Sequence, residues 1–238
     1  MIKGFIGTSL IDFPSKVAAV VFMGGCNYAC PFCHNPHLVQ EDQMQFLPDM
    51  PTEEVIQKVA FRSNFIDGVT ISGGEPTIHG KQLIEFIKKI KKISKKSPNL
   101  AIKLDTNGSN PETIKELLDK NLLDYVALDI KTIPGQYDQI SKLVSSFEQV
   151  SKTMQLLMKS SIDYEFRTTV VPTLMDMQQL MDLADTIKGC KRYVLQNFCP
   201  KGVLDASFSN IDPYPVSFFR EAVRAMEEKL NIKIIARV

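Results

Sequence analysis

Short apolar runs rich in β-branched residues alternate along this chain with longer amphipathic stretches. Residues 17–23, 69–72, 100–105, 125–130, 165–171 and 193–197 read as strands, and a last apolar run at 232–236 closes the chain. Between them the apolar period lengthens to that of a helix, as at Leu83, Phe86, Ile87, Ile90 and Ile93. Thr52 is suited to cap a helix whose first turn carries Glu53 and Glu54. Asn110 with Pro111 reads as a cap followed by a first-turn proline. Pro215 opens a helix with Phe218, Phe219, Ala222, Val223 and Met226 on its inner face. Strand–helix alternation implies a parallel sheet with right-handed crossovers. About six such units in 238 residues predict an α/β fold, a partial (β/α)6 TIM-like barrel forming a single domain over 1–238. An open doubly wound sheet is the competing arrangement.

The placement of the unusual residues favours the barrel. Cysteines at 26–33 follow the first run, Gly73 to Pro76 the second, Asp105 to Gly108 the third and Asp129 to Lys131 the fourth. In parallel α/β folds the strand C-terminal ends share one edge, so residues distant in sequence would meet at one site.

Composition narrows the setting. With 44% hydrophobic and 23% charged residues and a net charge of +1, no global field invites nucleic acid or a membrane surface. No apolar run reaches the length of a membrane span, and residues 1–13 lack the basic and apolar segments of a signal peptide, so the expected location is the cytoplasm. Five cysteines, three of them at 26, 30 and 33, point to a metal rather than to a disulfide framework.

The stretch Gly24-Gly25-Cys26-Asn27-Tyr28-Ala29-Cys30-Pro31-Phe32-Cys33-His34-Asn35 carries the most chemistry. Thiolates ligate soft metals and iron–sulfur clusters, and a closed [4Fe–4S] site uses four. Three would leave one iron open to a small molecule. The two glycines before Cys26 let the chain turn off the strand. Zinc on the three cysteines plus His34 or His37 is an alternative, though His34 directly adjoins Cys33, which makes a tetrahedron awkward to close. Three inert buried cysteines are the blander reading.

This cysteine spacing, with an aromatic before the last cysteine, resembles the radical-SAM superfamily. Together with Ser9-Leu10-Ile11-Asp12-Phe13-Pro14 and Val20-Val21-Phe22, the stretch Cys30-Pro31-Phe32-Cys33-His34-Asn35 resembles the anaerobic ribonucleotide reductase activating proteins, a family of glycyl radical enzyme activases. The resemblance implies a [4Fe–4S] cluster on Cys26, Cys30 and Cys33 that binds S-adenosylmethionine. It further implies reductive cleavage to a 5′-deoxyadenosyl radical, which takes a hydrogen atom from a glycine of a partner enzyme. The cofactors supply the difficult chemistry and the protein supplies position and exclusion of water.

Further site residues follow from the same resemblance. Gly73-Gly74-Glu75-Pro76 is similar to the family's GGEP strand end, whose glycines admit close approach and whose glutamate meets the methionine amino group. Asp105-Thr106-Asn107-Gly108 and Asp129-Ile130-Lys131 resemble its DTNG and DIK segments. There the aspartates lie beside the methionine end, sometimes with a monovalent cation, and the lysine, here Lys131, faces the substrate loop. Phe32 matches the position whose backbone meets the adenine amino group. Arg167 is placed to reach the cofactor carboxylate or to form a structural ion pair, and Gln196 to line the adenosine pocket. A glycyl radical enzyme and a flavodoxin- or ferredoxin-type electron donor are the implied partners.

Other features read as structural. Lys88, Lys89, Lys91, Lys92, Lys95 and Lys96 alternate with isoleucines as a solvated helix face would. Cys190 and Cys199 are too far apart for a second compact motif, so one cluster is expected. The competing functions are a radical-SAM enzyme for a small molecule such as a modified-base precursor, and a non-enzymatic metal-binding module. RNA modification is disfavoured by the lack of a basic appendage.

Overall fold

The computed structural model describes residues 1–94 and 100–238. Its sheet has eight strands in the order of the sequence: β1 (Ile2–Ser9), β2 (Ala18–Met23), β3 (Gly68–Gly73), β4 (Ala101–Thr106), β5 (Tyr125–Asp129), β6 (Asp163–Val170), β7 (Tyr193–Asn197) and β8 (Ile234–Arg237). All pair in parallel except β1, which runs antiparallel to β2. The helices are α1 (Pro36–Val39), α2 (Glu41–Met44), α3 (Thr52–Arg62), α4 (Gly80–Ser94), α5 (Pro111–Asp119), α6 (Tyr137–Ser141), α7 (Ser146–Lys159), α8 (Met177–Thr186) and α9 (Val216–Leu230).

The strand order decides between the two candidate folds. A doubly wound sheet reverses direction at a switch point. Here the order never reverses, so right-handed crossovers all step the same way and put their helices on one face. Six β/α units from β2 to α9, closed by β8, give the expected partial barrel. Among the described residues β8 and β1 do not pair, and the wall stays open between them.

Alternation along each strand separates two environments. On β4, Ile102 and Leu104 join the large apolar core beneath the helices, while Lys103 and Asp105 take the opposite face and line the barrel interior. The interior is therefore polar over much of its length. Its N-terminal end is plugged by Phe13 from the β1–β2 loop, which packs on Ala18, Tyr125 and Ala127. The Phe13 and Tyr125 rings lie 5.7 Å apart.

Several local expectations are corrected. The apolar pattern predicts no strand before residue 17, yet β1 forms one edge of the sheet. Its alternation is blurred by Gly4 and Gly7, and the Arg62 side chain packs where a Cβ on Gly7 would stand. Thr52 is the first helical residue rather than the cap, a position held by Pro51 without a side-chain bond. Pro215 likewise precedes α9, and Phe219, Ala222 and Met226 are its fully buried residues. The basic helix face is solvated and paired: Lys88 bonds Glu85 at 2.6 Å, Lys91 bonds Asp124 at 2.7 Å, and Lys89 meets Glu53. Lys95 and Lys96 lie outside the described residues. Among the described residues no helix is long and apolar enough to cross a membrane.

Candidate functional site

At the C-terminal edge of β2–β6 the loops enclose a cavity of about 820 Å³, including its mouth. Cys26, Cys30 and Cys33 line it together with Phe32, Gly73, Gly74, Asp105, Asn107, Asp129, Lys131 and Arg167. These positions were expected from sequence, and the sheet edge brings them together.

The cysteine loop is held by its neighbours. Cys33 N donates to Cys30 O at 3.0 Å to form a turn, Ala29 N donates to Ser141 O at 3.0 Å, and Leu204 and Asp205 N–H groups donate to the Cys33 and Pro31 carbonyls. Asn107 Nδ2 donates to Asn27 Oδ1 at 3.1 Å and reaches Cys26 Sγ at 3.9 Å, tying this loop to the end of β4. Burial, joined by the Glu75 charge, pushes the Cys26 thiol up to about 12, and burial against an opposing Lys131 pushes Cys30 up to about 11. Without a bound metal both sulfurs carry their protons.

The glycines after β3 are there for close approach. Gly73 adopts φ +125°, a backbone region that side chains rarely occupy. A Cβ on Gly74 would fall on the Gly25 carbonyl oxygen, whose strand-like contact is made by Glu75 N at 2.8 Å. Gly74→Ala is therefore expected to push the cysteine loop off the β3 end, at a cost of about 1–3 kcal/mol in stability. The check is thermal unfolding beside iron content after reconstitution, and a variant that keeps both at wild-type values would contradict the close-packing argument.

Five side chains form a charge ladder across the cavity floor. Lys103 pairs with Asp105, Arg167 Nη2 stands 3.4 Å from Asp105 and Arg167 Nε bonds Asp129, and Lys131 Nζ donates to Asp129 at 3.0 Å. Ser72 Oγ donates to Asp105 at 3.1 Å. Burial raises the Asp129 carboxyl, but the Arg167 and Lys131 charges more than offset it and hold the group well below the usual carboxylate range. Asp105 is likewise lowered against its burial by Arg167 and Lys103. For Lys131, burial lowers the value, but the Asp129 charge outweighs it and keeps the ammonium charged. Arg167 bridges the two aspartates.

Two expected residues stand elsewhere. Glu75 is fully buried behind the cavity wall. Its carboxylate accepts from Thr77 N at 3.0 Å, Thr106 Oγ1 at 2.8 Å, Asn107 N at 2.6 Å and Thr77 Oγ1. It locks the β3 and β4 ends together and is not free to face a ligand. Gln196 lies on β7, beyond the strands that close this cavity, and lines a separate polar pocket with Asp12, Lys103, Glu165 and Arg237. Thr106 of the DTNG segment also lines the cavity, as do Tyr28, Ser72 and Thr169, to which the sequence assigned no role. Ser72 and Thr169 could have been found as hydroxyls at strand C-terminal ends.

The donor set fits a cluster better than one ion. Among the described residues no three His, Cys, Asp or Glu side chains are gathered closely enough for a single metal. A cubane spreads its thiolates over separate irons. Of the two histidines open to zinc, His34 is engaged by the Lys201 main chain, with its ring 6.4 Å from that of Phe198, and His37 lines a different pocket. Of the ladder residues, Arg167 and Lys131 line the cavity opposite Asp105 and Asp129, a balanced set suited to a group that carries both charges.

Comparison with known proteins agrees with this geometry. A family model described as the Radical SAM superfamily matches residues 20–188. A protein of Methanocaldococcus jannaschii named as a glycyl-radical enzyme activating enzyme is 36% identical over 242 residues, spanning 100% of this chain and 96% of its own. The pyruvate formate-lyase-activating enzyme of Clostridium pasteurianum is 29% identical over 189 residues, 76% of this chain and 74% of that protein. Among solved structures, Streptococcus suis SuiB bound to S-adenosylmethionine superposes with a TM-score of 0.68 at 12% identity, over 92% of this chain and 52% of that one. The chain thus spans about half the length of that structure, and the likeness is one of fold.

Proposed function

Because the chain belongs to the radical SAM superfamily, we propose that it activates a glycyl radical enzyme, with anaerobic ribonucleotide reductase as the partner. The family makes it an enzyme that uses a [4Fe–4S] cluster and S-adenosylmethionine. Activation of a glycyl radical enzyme is supported by 36% identity along the whole chain to a glycyl-radical enzyme activating enzyme and by a cavity that unites three cysteines with the DTNG and DIK segments, and the choice of the reductase rests on the resemblance of Ser9–Pro14, Val20–Phe22 and Cys30–Asn35 alone.

When bound, the cluster and S-adenosylmethionine supply one-electron bond cleavage and hydrogen-atom abstraction. The residues of this chain do the rest. Cys26, Cys30 and Cys33 would hold the cluster. Gly73 and Gly74 let the end of β3 pack against the Met23 and Gly25 main chain, where a Cβ would intrude, and so hold the cysteine loop against that strand end. Asp105, Arg167 and Asp129 form a fixed array of charges that costs no reorganisation when a zwitterionic methionine end docks. Lys131, held by Asp129, would face the incoming glycine loop. Phe32 is buried beside Cys33 and excludes water from the sulfur side. Glu75 acts indirectly, by fixing Asn107 and Thr106 in the wall. The electron would come from a flavodoxin- or ferredoxin-type donor.

The expected outcome of the direct test is a glycyl radical doublet in the EPR spectrum of the reductase. It should appear when anaerobically reconstituted protein, a reductant and S-adenosylmethionine are mixed with it. Formation of 5′-deoxyadenosine without any such doublet would remove this partner and leave the superfamily chemistry intact.

A further inference from the structure

A second chamber lies behind the floor of the cysteine-lined cavity. It encloses about 510 Å³ with its mouth and is bordered by two exposed residues, Ile11 of the β1–β2 loop and Arg237 of β8. Asp105 and Arg167 line both spaces, so the floor between them is one ion pair thick. Lys103 belongs to the rear chamber alone.

The partners of this lysine are narrowly fixed. Lys103 is 1% exposed, and its ammonium donates to Asp105 Oδ1. The other buried carboxylate of the chamber, Glu165, is taken by Arg237 at 3.2 Å and by the Tyr125 hydroxyl at 3.1 Å. The second oxygen of Asp105 accepts from Ser72 Oγ at 3.1 Å and has Arg167 Nη2 at 3.4 Å, while Arg167 Nε bonds Asp129 at closer range. Lys103 is therefore the close charge partner of Asp105, and Arg167 that of Asp129. Without Lys103, a buried carboxylate would keep only a guanidinium that it shares, which is costly. Arg167 would then close on Asp105 at the expense of Asp129, or the Asp105 carboxyl would turn. Either change alters the charges presented to the front cavity although none of its lining residues has been replaced.

We propose that Lys103 is a positioning residue for S-adenosylmethionine. From the rear chamber its ammonium fixes the Asp105 carboxylate and leaves Arg167 to Asp129, which sets the charge array that receives the methionine end. The inference rests on the reading that Asp105 meets that end of the cofactor.

The test is equilibrium binding of S-adenosylmethionine to reconstituted protein with its cluster oxidised, so that no turnover intervenes. Lys103→Ala should weaken binding about tenfold, the low end of the loss on removing an outer-shell partner. The truncation removes the atoms from Cγ to Nζ, and n-propylammonium carries the same atoms and can enter by the chamber mouth. It should restore the affinity of Lys103→Ala and leave that of the wild type and of Asp105→Asn unchanged. n-Propanol fills the same space without the charge and should restore nothing. Equal rescue by the alcohol would make Lys103 a space filler and overturn the inference, as would wild-type affinity in Lys103→Ala beside a weakened Asp105→Asn. If the Ala variant does not fold, or responds to neither additive, the double variant Lys103→Met with Asp105→Asn decides, since it leaves no charge at this pair. Its affinity should equal that of Asp105→Asn, and a further loss overturns the inference. Wild-type affinity in Asp105→Asn itself would instead remove Asp105 from the cofactor site, and the role of Lys103 with it.

Discussion

Cys30→Ala is expected to abolish cluster retention and to reduce 5′-deoxyadenosine formation by more than about 100-fold, beyond the loss typical of an outer-shell partner. Removing one of three thiolates leaves too few to hold a [4Fe–4S] group, and no other described cysteine stands in the cavity to replace it. The fold should survive. Cys30 is 6% exposed and behaves as a small apolar side chain, so its truncation costs about 1 kcal/mol. Iron content, the charge-transfer absorbance and thermal unfolding on one preparation separate the two effects. A variant that still makes 5′-deoxyadenosine at the wild-type rate would show that Cys30 is not a ligand. The raised thiols add a sign. Cys26 and Cys30 hold their protons up to about 12 and about 11, and cluster uptake must release them. Reconstitution should therefore run faster at about pH 8.5 than at about pH 7.

Asp129→Asn is expected to cost about 3 kcal/mol of stability, the low end of what breaking a buried ion pair costs. The loss leaves Lys131 without its partner, while Arg167 keeps Asp105, and Asp129 itself is 25% exposed. For a chain of this size that corresponds to a fall in Tm of ~6–12 °C. The pH dependence follows from the depressed carboxyl. Its unfolded value is about 3.9 and its folded value lies well below. The stabilisation is thus complete above about pH 5 and is lost as pH falls toward the folded value. Urea unfolding from pH 7 to about pH 3 should show the wild type converging on the Asn variant in acid. A gap between them that stays constant over that range would mean the carboxylate charge is not what stabilises this floor.

Much of this site is legible in the sequence because ligand chemistry and strand ends are local signals. The cysteine spacing, the paired glycines and the Asp105 and Asp129 positions all fall directly after β-branched runs, and the parallel sheet carries them to one edge. What escapes is whatever depends on which partner a side chain finds. Glu75 reads as a free carboxylate, but four donors from Thr77, Thr106 and Asn107 consume it. Gln196 is at a strand end, yet β7 is nearly the last strand and the cavity closes at Thr169 on β6. Lys103 is unremarkable until its period-two relation to Asp105 puts both in the interior. Strand β1 is hidden because its glycines interrupt the alternation that marks the others.

Among the described residues β1 and β8 do not pair, which leaves a slot where a closed ring would have a hole. A hole admits a chain only through its rim, so an interior loop of a folded protein must bend back on itself to enter and leave. A slot admits such a loop broadside, with both of its arms still attached to their own domain. The two strands on either side can also part or approach without breaking any ladder hydrogen bond. The gap between these two strands can thus change width while the seven-strand parallel wall behind it keeps its ladder intact.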